Sequence, residues 1–368
     1  MTAKIAVPVH LPATTPSAEN EITMTSVEER PRITVLHSLG KPDGTTRYVD
    51  HMIDSAPAEL QVETLSWAHA LTGRYDVFHI HWPENLIRGK SRVSGIVKKA
   101  MFVTLLGRLR LSRRPIVRTV HNVAPHEEGS VVERSLLKLC DRATTHFIRL
   151  NVTTELPAEK AGSTILHGHY RDRPEYQCSI ESDPTRLLYF GLIRPYKGIE
   201  DLLPAFAALR SETLTLRIVG KPQDEKLAAD VLAACERSES VTCKLAFVPD
   251  AELAAEIARA SMVVLPYREM HNSGAAILAL SMDRPVLVPA TQANRALQEE
   301  VGKDWVHLYE GSVITAEAIS DAVDRVANDA RTARPDLSQR DWDRIGERHY
   351  QLYASLLDPA PTRVRETD

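Results

Sequence analysis

The sequence predicts an α/β protein built from two doubly wound, Rossmann-like domains. Three observations carry this. From Pro31 onward short apolar runs alternate with amphipathic helical stretches. The alternation comes as two separate series with a poorly patterned stretch between them. The chain has 368 residues, enough for two domains of roughly 100–200 residues each. Short apolar runs bounded by helices read as buried parallel strands, with ligand-facing loops at their carboxyl ends.

In the first series residues 33–36 form a strand, and a turn with Gly40 and Gly44 leads into a helix near 48–55. VFHIH (77–81) is the next strand, followed by a long helix and the strand IVRTV (116–120). The second series places strands at 187–190, 214–219, 242–247, 262–265 and 285–288. Helices at 198–209, 224–237, 251–260 and 274–281 alternate with them. A last amphipathic helix, 341–357, carries Trp342, Tyr350 and Tyr353. The expected boundaries are a disordered tail 1–30, a first domain 31–170, a second domain 184–338 and a closing segment 339–358. The weakest patterning, 169–183, is the linker.

Composition narrows the class. The 43% hydrophobic and 26% charged residues are those of a globular protein, and a net charge of −4 gives no global pull towards nucleic acid. Cys140, Cys178, Cys235 and Cys243 form no CxxC pair, so reduced thiols in a cytoplasmic protein are expected. No apolar run reaches the ~18–20 residues of a membrane span. The first residues, with one lysine among many prolines and polar residues, do not read as a signal peptide.

The chemistry concentrates in YFGLIRPYKG (189–198). A strand ends at Gly191, the loop carries Arg194 and Lys197, and a helix opens at Gly198. Two cations beside a helix amino terminus suit a diphosphate, whose negative charge grows as a sugar–phosphate bond breaks. The plainer reading is a solvated loop with two incidental charges. A second loop, HNSG (271–274), follows the strand ending at Tyr267. Asn272 or Ser273 would cap the next helix, and Gly274 would let a ligand approach the backbone.

These segments, with VGKP (219–222), AFVPDAEL (246–253) and SGAAILALSMDRPVLVP (273–289), resemble the donor domain of GT4-type glycosyltransferases of the GT-B fold. The resemblance implies two Rossmann-like domains around a cleft and a terminal helix, 341–357, crossing back onto the first domain. It implies that Lys197 and Arg194 hold the donor diphosphate together with Gly191, His271, Asn272, Ser273 and Gly274. The strand at Phe247 and Val248 would lie beside the nucleobase. Where the family has arginine after the strand glycine this chain has Leu192. The family's paired glutamates fall near Met270 and Leu278, with Glu269 one place out of register. A likeness to exopolysaccharide mannosyltransferases makes GDP-mannose the expected donor and a lipid-linked glycan the expected acceptor. No metal is expected, because Arg194, Lys197 and helix termini take the leaving charge.

In the first half RTVHNVAPHE (118–127) sets His121 just after a strand, similar to the family histidine that meets the donor sugar. A neutral imidazole there can hydrogen-bond a hydroxyl or act as base. It can equally satisfy loop backbone. Glu84 and Glu127 are the carboxylates an inverting reaction could use. His79 and His81 lie on one face of their strand but lack a third metal ligand and a carboxylate. Between Asn85 and Val120 stand ten Lys and Arg residues and no Asp or Glu, among them Lys98, Lys99, Arg113 and Arg114. Val93, Ile96, Val97, Ala100, Met101 and Leu105 follow helical spacing, giving a basic amphipathic segment. This is expected to meet the acceptor and the cytoplasmic face of the membrane. A core-packed helix with a solvated face explains the apolar stripe as well, but not the missing acids. Competing readings are a nucleotide-sugar epimerase or hydrolase on the same fold, and a non-catalytic nucleotide-sugar-binding protein.

Overall fold

The structure is a computed structural model that describes residues 30–41, 47–121, 129–157, 160–268, 273–328 and 334–358. The segment Met1–Pro31 separates from the unit Arg32–Asp368, so the expected tail lies almost wholly outside the described residues. Also outside them are Glu127, His271 and Asn272.

Within Arg32–Asp368 two all-parallel sheets form. The first contains β1 (Ile33–His37), β2 (Leu60–Thr64), β3 (Val77–Ile80), β4 (Ile116–Val120), β5 (His146–Arg149) and β6 (Gly162–Thr164), in the order β2-β1-β3-β4-β5-β6. The second contains β7 (Arg186–Phe190), β8 (Thr215–Val219), β9 (Val241–Lys244), β10 (Met262–Val264), β11 (Val286–Pro289) and β12 (Val306–Tyr309), in the order β12-β11-β10-β7-β8-β9. The central strands are mostly apolar because helices cover both faces; every residue of β3 and of β11 is buried. The strands missed by pattern, β2, β5, β6 and β12, lie towards the rims, and the first three are the more polar. LQVET forms β2 and GST forms β6, each at a sheet edge with one neighbour.

The final helix, Trp342–Leu357, leaves the second domain and packs into the first. Trp342, Ile345, Tyr350 and Tyr353 share a buried cluster with Ile33, Val35, Val77 and Val117. At ~1.5–3 kcal/mol per buried large side chain, these four contribute roughly 10 kcal/mol before entropy is counted. That rivals the net stability of a whole domain, so the first domain depends on this helix. The two interdomain passages are tied together. Trp342 Nε1 donates to the His169 carbonyl, His169 lies 2.7 Å from Asp341, and Arg340 bridges the His167 carbonyl and Glu300.

In each sheet the strand order reverses once. The reversal lies between β1 and β3 in the first sheet and between β7 and β10 in the second. Crossover connections diverge there, opening a crevice at the strand carboxyl ends where ligands bind.

Candidate active site

At the reversal of the second sheet, β7 runs out into Gly191 and the loop carrying Arg194 and Lys197, opposite the end of β10. Gly198 has a left-handed backbone (φ 69°), and a Cβ there would lie 2.1 Å from the Pro266 carbonyl oxygen, so only glycine fits. Arg268 holds the loop from the other side, pairing with Asp201 at 2.8 Å. Lys197 Nζ sits 4.8 Å from the centre of the Tyr267 ring and 3.4 Å from where a side chain on Gly191 would begin. Burial, with the Arg194 charge beside it, lowers its pKa to about 8. Among the described residues neither Lys197 nor Arg194 has a carboxylate partner. Two neighbouring cations in a crevice, without carboxylate partners among the described residues, make an arrangement suited to an anion.

Next to these cations opens a cavity of about 530 Å³, lined by Gly191, Gly220, Phe247, Val248, Gly274 and Leu278. Phe247 is 76% exposed, a flat apolar ring offered to a planar ligand, while Val248 is buried beneath it. Ser273 caps the helix Gly274–Ser281 by accepting from the Ala276 N–H, and Gly274 faces His167 and Tyr170. Leu278, where the resemblance would place a glutamate, is buried against the cavity, so this wall is apolar. A larger hollow of about 740 Å³ lies between the helices Ile199–Ala208 and Glu225–Arg237, near the strands' amino ends and away from these groups.

The reversal of the first sheet is occupied by histidines. His37 ends β1, His79 lies in β3, His81 follows it, and His121 follows β4. His37 Nδ1 lies 2.8 Å from His81 Nε2, and His81 Nδ1 lies 3.0 Å from His121 Nε2. His79 stacks on His81 at 4.3 Å, with its two nitrogens 2.7 Å from the Tyr353 hydroxyl and 2.8 Å from the Thr119 hydroxyl. His121 stacks on Trp82 at 4.1 Å. Burial is the first cause that lowers every pKa in this group, to about 3 for His37 and for His121. The rings are therefore neutral near pH 7. Sequence spacing had singled out His79, His81 and His121. His37 was missed, although it too is a histidine at a strand end. His37, His79 and His81 bring a ring nitrogen each within 4.8 Å of one another, but both nitrogens of His79 already meet hydroxyls.

Glu84 lies in the short helix Pro83–Ile87, and its charge partly opposes the burial that lowers the pKa of Arg118. The cationic segment forms the helix Arg92–Leu111. Its apolar residues do not form the single stripe expected. Phe102, Leu105, Leu106 and Leu109 are buried, whereas Val93, Ile96, Val97, Val103 and Leu111 face solvent, Ile96 being 68% exposed. Positions 93, 96, 97, 100, 103, 107 and 111 follow one helical face, from which Leu105 is rotated away. Lys98 donates to the Asn85 carbonyl and Arg113 is exposed. Arg114 is otherwise engaged, donating to the Gly73 carbonyl and lying over Tyr75 at 4.7 Å.

Comparison with known proteins agrees with this geometry. Residues 184–329 match the family model "Glycosyl transferases group 1". The chain is 44% identical over 342 residues to a GDP-mannose:glycolipid 4-beta-D-mannosyltransferase of Xanthomonas campestris, covering 93% of this chain and 97% of that one. The chain belongs to the group 1 glycosyltransferases. Among solved structures, this glycosyltransferase resembles HepE of Anabaena in complex with UDP, with a TM-score of 0.60, 15% identity, and 89% and 100% of the two chains covered. It also resembles sucrose-phosphate synthase of Thermosynechococcus elongatus, with a TM-score of 0.59, 15% identity, and 90% and 100% covered. Those likenesses establish the GT-B fold, in which the two sheet reversals belong to the two halves of one transferase.

Proposed function

We propose that this glycosyltransferase moves mannose from GDP-mannose to a glycolipid acceptor at a membrane surface, with inversion at the anomeric carbon. The observation that carries the mechanism is the pair of cations, Arg194 and Lys197, without carboxylate partners among the described residues at the sheet reversal. They would take the charge that grows on GDP as the C1–O bond breaks, so the reading needs no metal. Ser273, Gly274 and the backbone at Gly191 would complete the diphosphate site, and Phe247 with Val248 the base site. The near full-length likeness to a mannosyltransferase of that donor and acceptor class supports the substrates. GDP-mannose carries an α linkage, so a β-mannoside requires inversion and hence a base on the acceptor side.

His121 is the base we favour, because its ring is neutral and held in place from behind. Glu84, whose charge acts on Arg118, and Glu127 are the alternatives tested by Glu→Gln substitution. The exposed apolar face Val93–Ile96–Val97–Val103–Leu111, flanked by Arg92, Lys99, Arg110 and Arg113, supports contact with the anionic cytoplasmic leaflet. Each cation there would add ~1 kcal/mol. Among the described residues no helix is long and apolar enough to cross a membrane. Lys99 sits at the rim of that face, where an acceptor diphosphate would arrive, whereas Lys98 lies on the other side of the helix and donates to the Asn85 carbonyl.

Turnover of radiolabelled GDP-mannose, UDP-glucose and UDP-galactose with a lipid extract tests the reading. The expected result is a β-mannosyl lipid from GDP-mannose alone, with an intact anomeric proton signal by NMR. Free mannose or an epimer formed without lipid would replace transfer by hydrolysis or epimerisation. Co-sedimentation with vesicles containing 30% phosphatidylglycerol should be lost in an Ile96→Glu/Val97→Glu variant.

A further inference from the structure

Resting on the reading of residues 191–198 as the diphosphate site, we propose that the Tyr267 hydroxyl is a further donor-binding group. It donates a hydrogen bond to the terminal phosphate of GDP-mannose, the one that carries the sugar, with the Tyr189 hydroxyl behind it.

Buried hydroxyls are hydrogen-bonded as a rule, and one left alone costs free energy. Three tyrosines of the second domain depart from this rule. Tyr189, Tyr267 and Tyr309 are all buried, Tyr267 being 5% exposed, and among the described residues none of their hydroxyls has a hydrogen-bond partner. Burial pushes each pKa up, so all three keep the proton with which to donate. Tyr189 and Tyr267 lie together, since Tyr267 adds to the upward shift of Tyr189. Tyr309 lies apart, at the end of β12, where Asp201 is the further influence on it.

The surroundings of Tyr267 point to a ligand. Its hydroxyl oxygen and Lys197 Nζ converge on the open side of Gly191. A Cβ on Gly191 would lie 4.0 Å from that oxygen and 3.4 Å from Nζ, with no other described atom within 4 Å beyond the adjoining residues. Gly191 also forms part of the wall of the 530 Å³ cavity. An oxygen reaching that point is within about 1 Å of hydrogen-bonding range to both groups. A phosphate oxygen suits both, having the charge for the ammonium and the lone pairs for the O–H.

Strand order indicates which phosphate. Phe247 and Val248, the proposed base site, follow β9, whereas Gly191 follows β7 and Tyr267 follows β10. From β9 to β10 is three strand spacings, about 14 Å. That is the end of a nucleoside diphosphate away from its base, where the bond to the sugar breaks. A hydrogen bond there strengthens as charge gathers on the leaving phosphate. Tyr189 lies two residues before Gly191 in the chain and so on the same side of β7. A hydroxyl donates one bond and accepts others, so Tyr189 donates to the Tyr267 oxygen as Tyr267 donates to phosphate.

The test is calorimetric binding of GDP and GMP, with melting temperatures of the free proteins. Tyr267→Phe should weaken GDP by about 10–100-fold, as for a hydrogen bond to a charged group. It should weaken GMP, which lacks the second phosphate, by less than about twofold. The free variant should melt no lower than the wild type, because the deleted hydroxyl met no partner. Tyr189→Phe should weaken GDP by about two- to fivefold, and Tyr309→Phe not at all. The kcat/KM for GDP-mannose should fall in Tyr267→Phe at least as far as GDP affinity does. Undiminished GDP affinity in Tyr267→Phe, an equal loss with GMP, an equal loss in Tyr309→Phe, or a melting temperature that drops with affinity would overturn the assignment. Lys197→Ala separates this from the reading beneath it. If that variant weakens GDP and Tyr267→Phe does not, only the tyrosine is wrong; if neither does, the diphosphate site itself is.

Discussion

The two sheets reverse their strand order at equivalent places and fill the crevice with opposite chemistry. In the second domain the crevice holds charge kept in suspense, with Arg194 and Lys197 set among glycines and without carboxylate partners among the described residues. In the first it holds imidazoles kept neutral and bonded to one another. On the proposed mechanism the difference follows from what each side must do at the transition state. The donor side meets an anion whose charge increases, so it needs fixed cations and no proton exchange. The acceptor side must accept one proton, which requires a group unprotonated beforehand, as these neutral rings are.

The sharpest way to break this comparison is to remove one charge. Lys197→Ala should lower kcat/KM by about 10²–10³-fold, the usual cost of losing one transition-state stabiliser. Arg194→Ala should cost less, because Lys197 is the cation held at the Tyr267 ring beside Gly191, where burial lowers its pKa to about 8; the two are compared in single-turnover assays. Equal, small effects would return the loop to a solvated surface. His121→Gln should reduce kcat by ~10²-fold or more while KM for the donor changes little, since the base acts on the acceptor.

A pH profile separates the two sides without mutation. Lys197 loses its charge as pH rises through about 8, so donor affinity should fall in that direction, by up to ~10-fold per unit once the amine is neutral. The histidines at about 3 are already unprotonated above pH 5. The kcat/KM profile should then show an alkaline limb near 8 and no acid limb near 6.5. The alkaline limb should move upward in Lys197→Arg. The groups around His121 that add to its shift, His167 and Arg118, both push it the same way.

The two regions were unequally legible in the sequence. The donor loop could be read because Gly191, Arg194, Lys197 and Gly198 stand within eight residues and a strand-to-helix turn brings them together. The histidine row could not, because its members are 44 and 40 residues apart and meet only when β1, β3 and β4 pair in parallel. The central strands announced themselves as apolar runs. The half-polar β2, β5 and β6 did not, for a rim strand or a short one such as HFIR carries little of that signal. The helix Arg92–Leu111 was read as one apolar stripe because both of its faces are apolar, and only packing shows which one the core takes.

Removing one hydrogen bond on each side measures how rigidly each is held. Tyr353→Phe deletes the hydroxyl that meets His79 Nδ1 and leaves that nitrogen without it in a fully buried site. The stability loss in urea unfolding should be about 1–3 kcal/mol, the cost of stranding a buried polar group. Ser273→Ala removes a helix cap whose partner, the Ala276 N–H, lies in the first turn of a helix facing the crevice. Water can reach that turn more easily than the interior of the first domain, so the loss should be nearer 0.5–1 kcal/mol. A larger loss for Ser273 than for Tyr353 would invert the comparison, making the donor side the rigid partner and the histidine side the adaptable one.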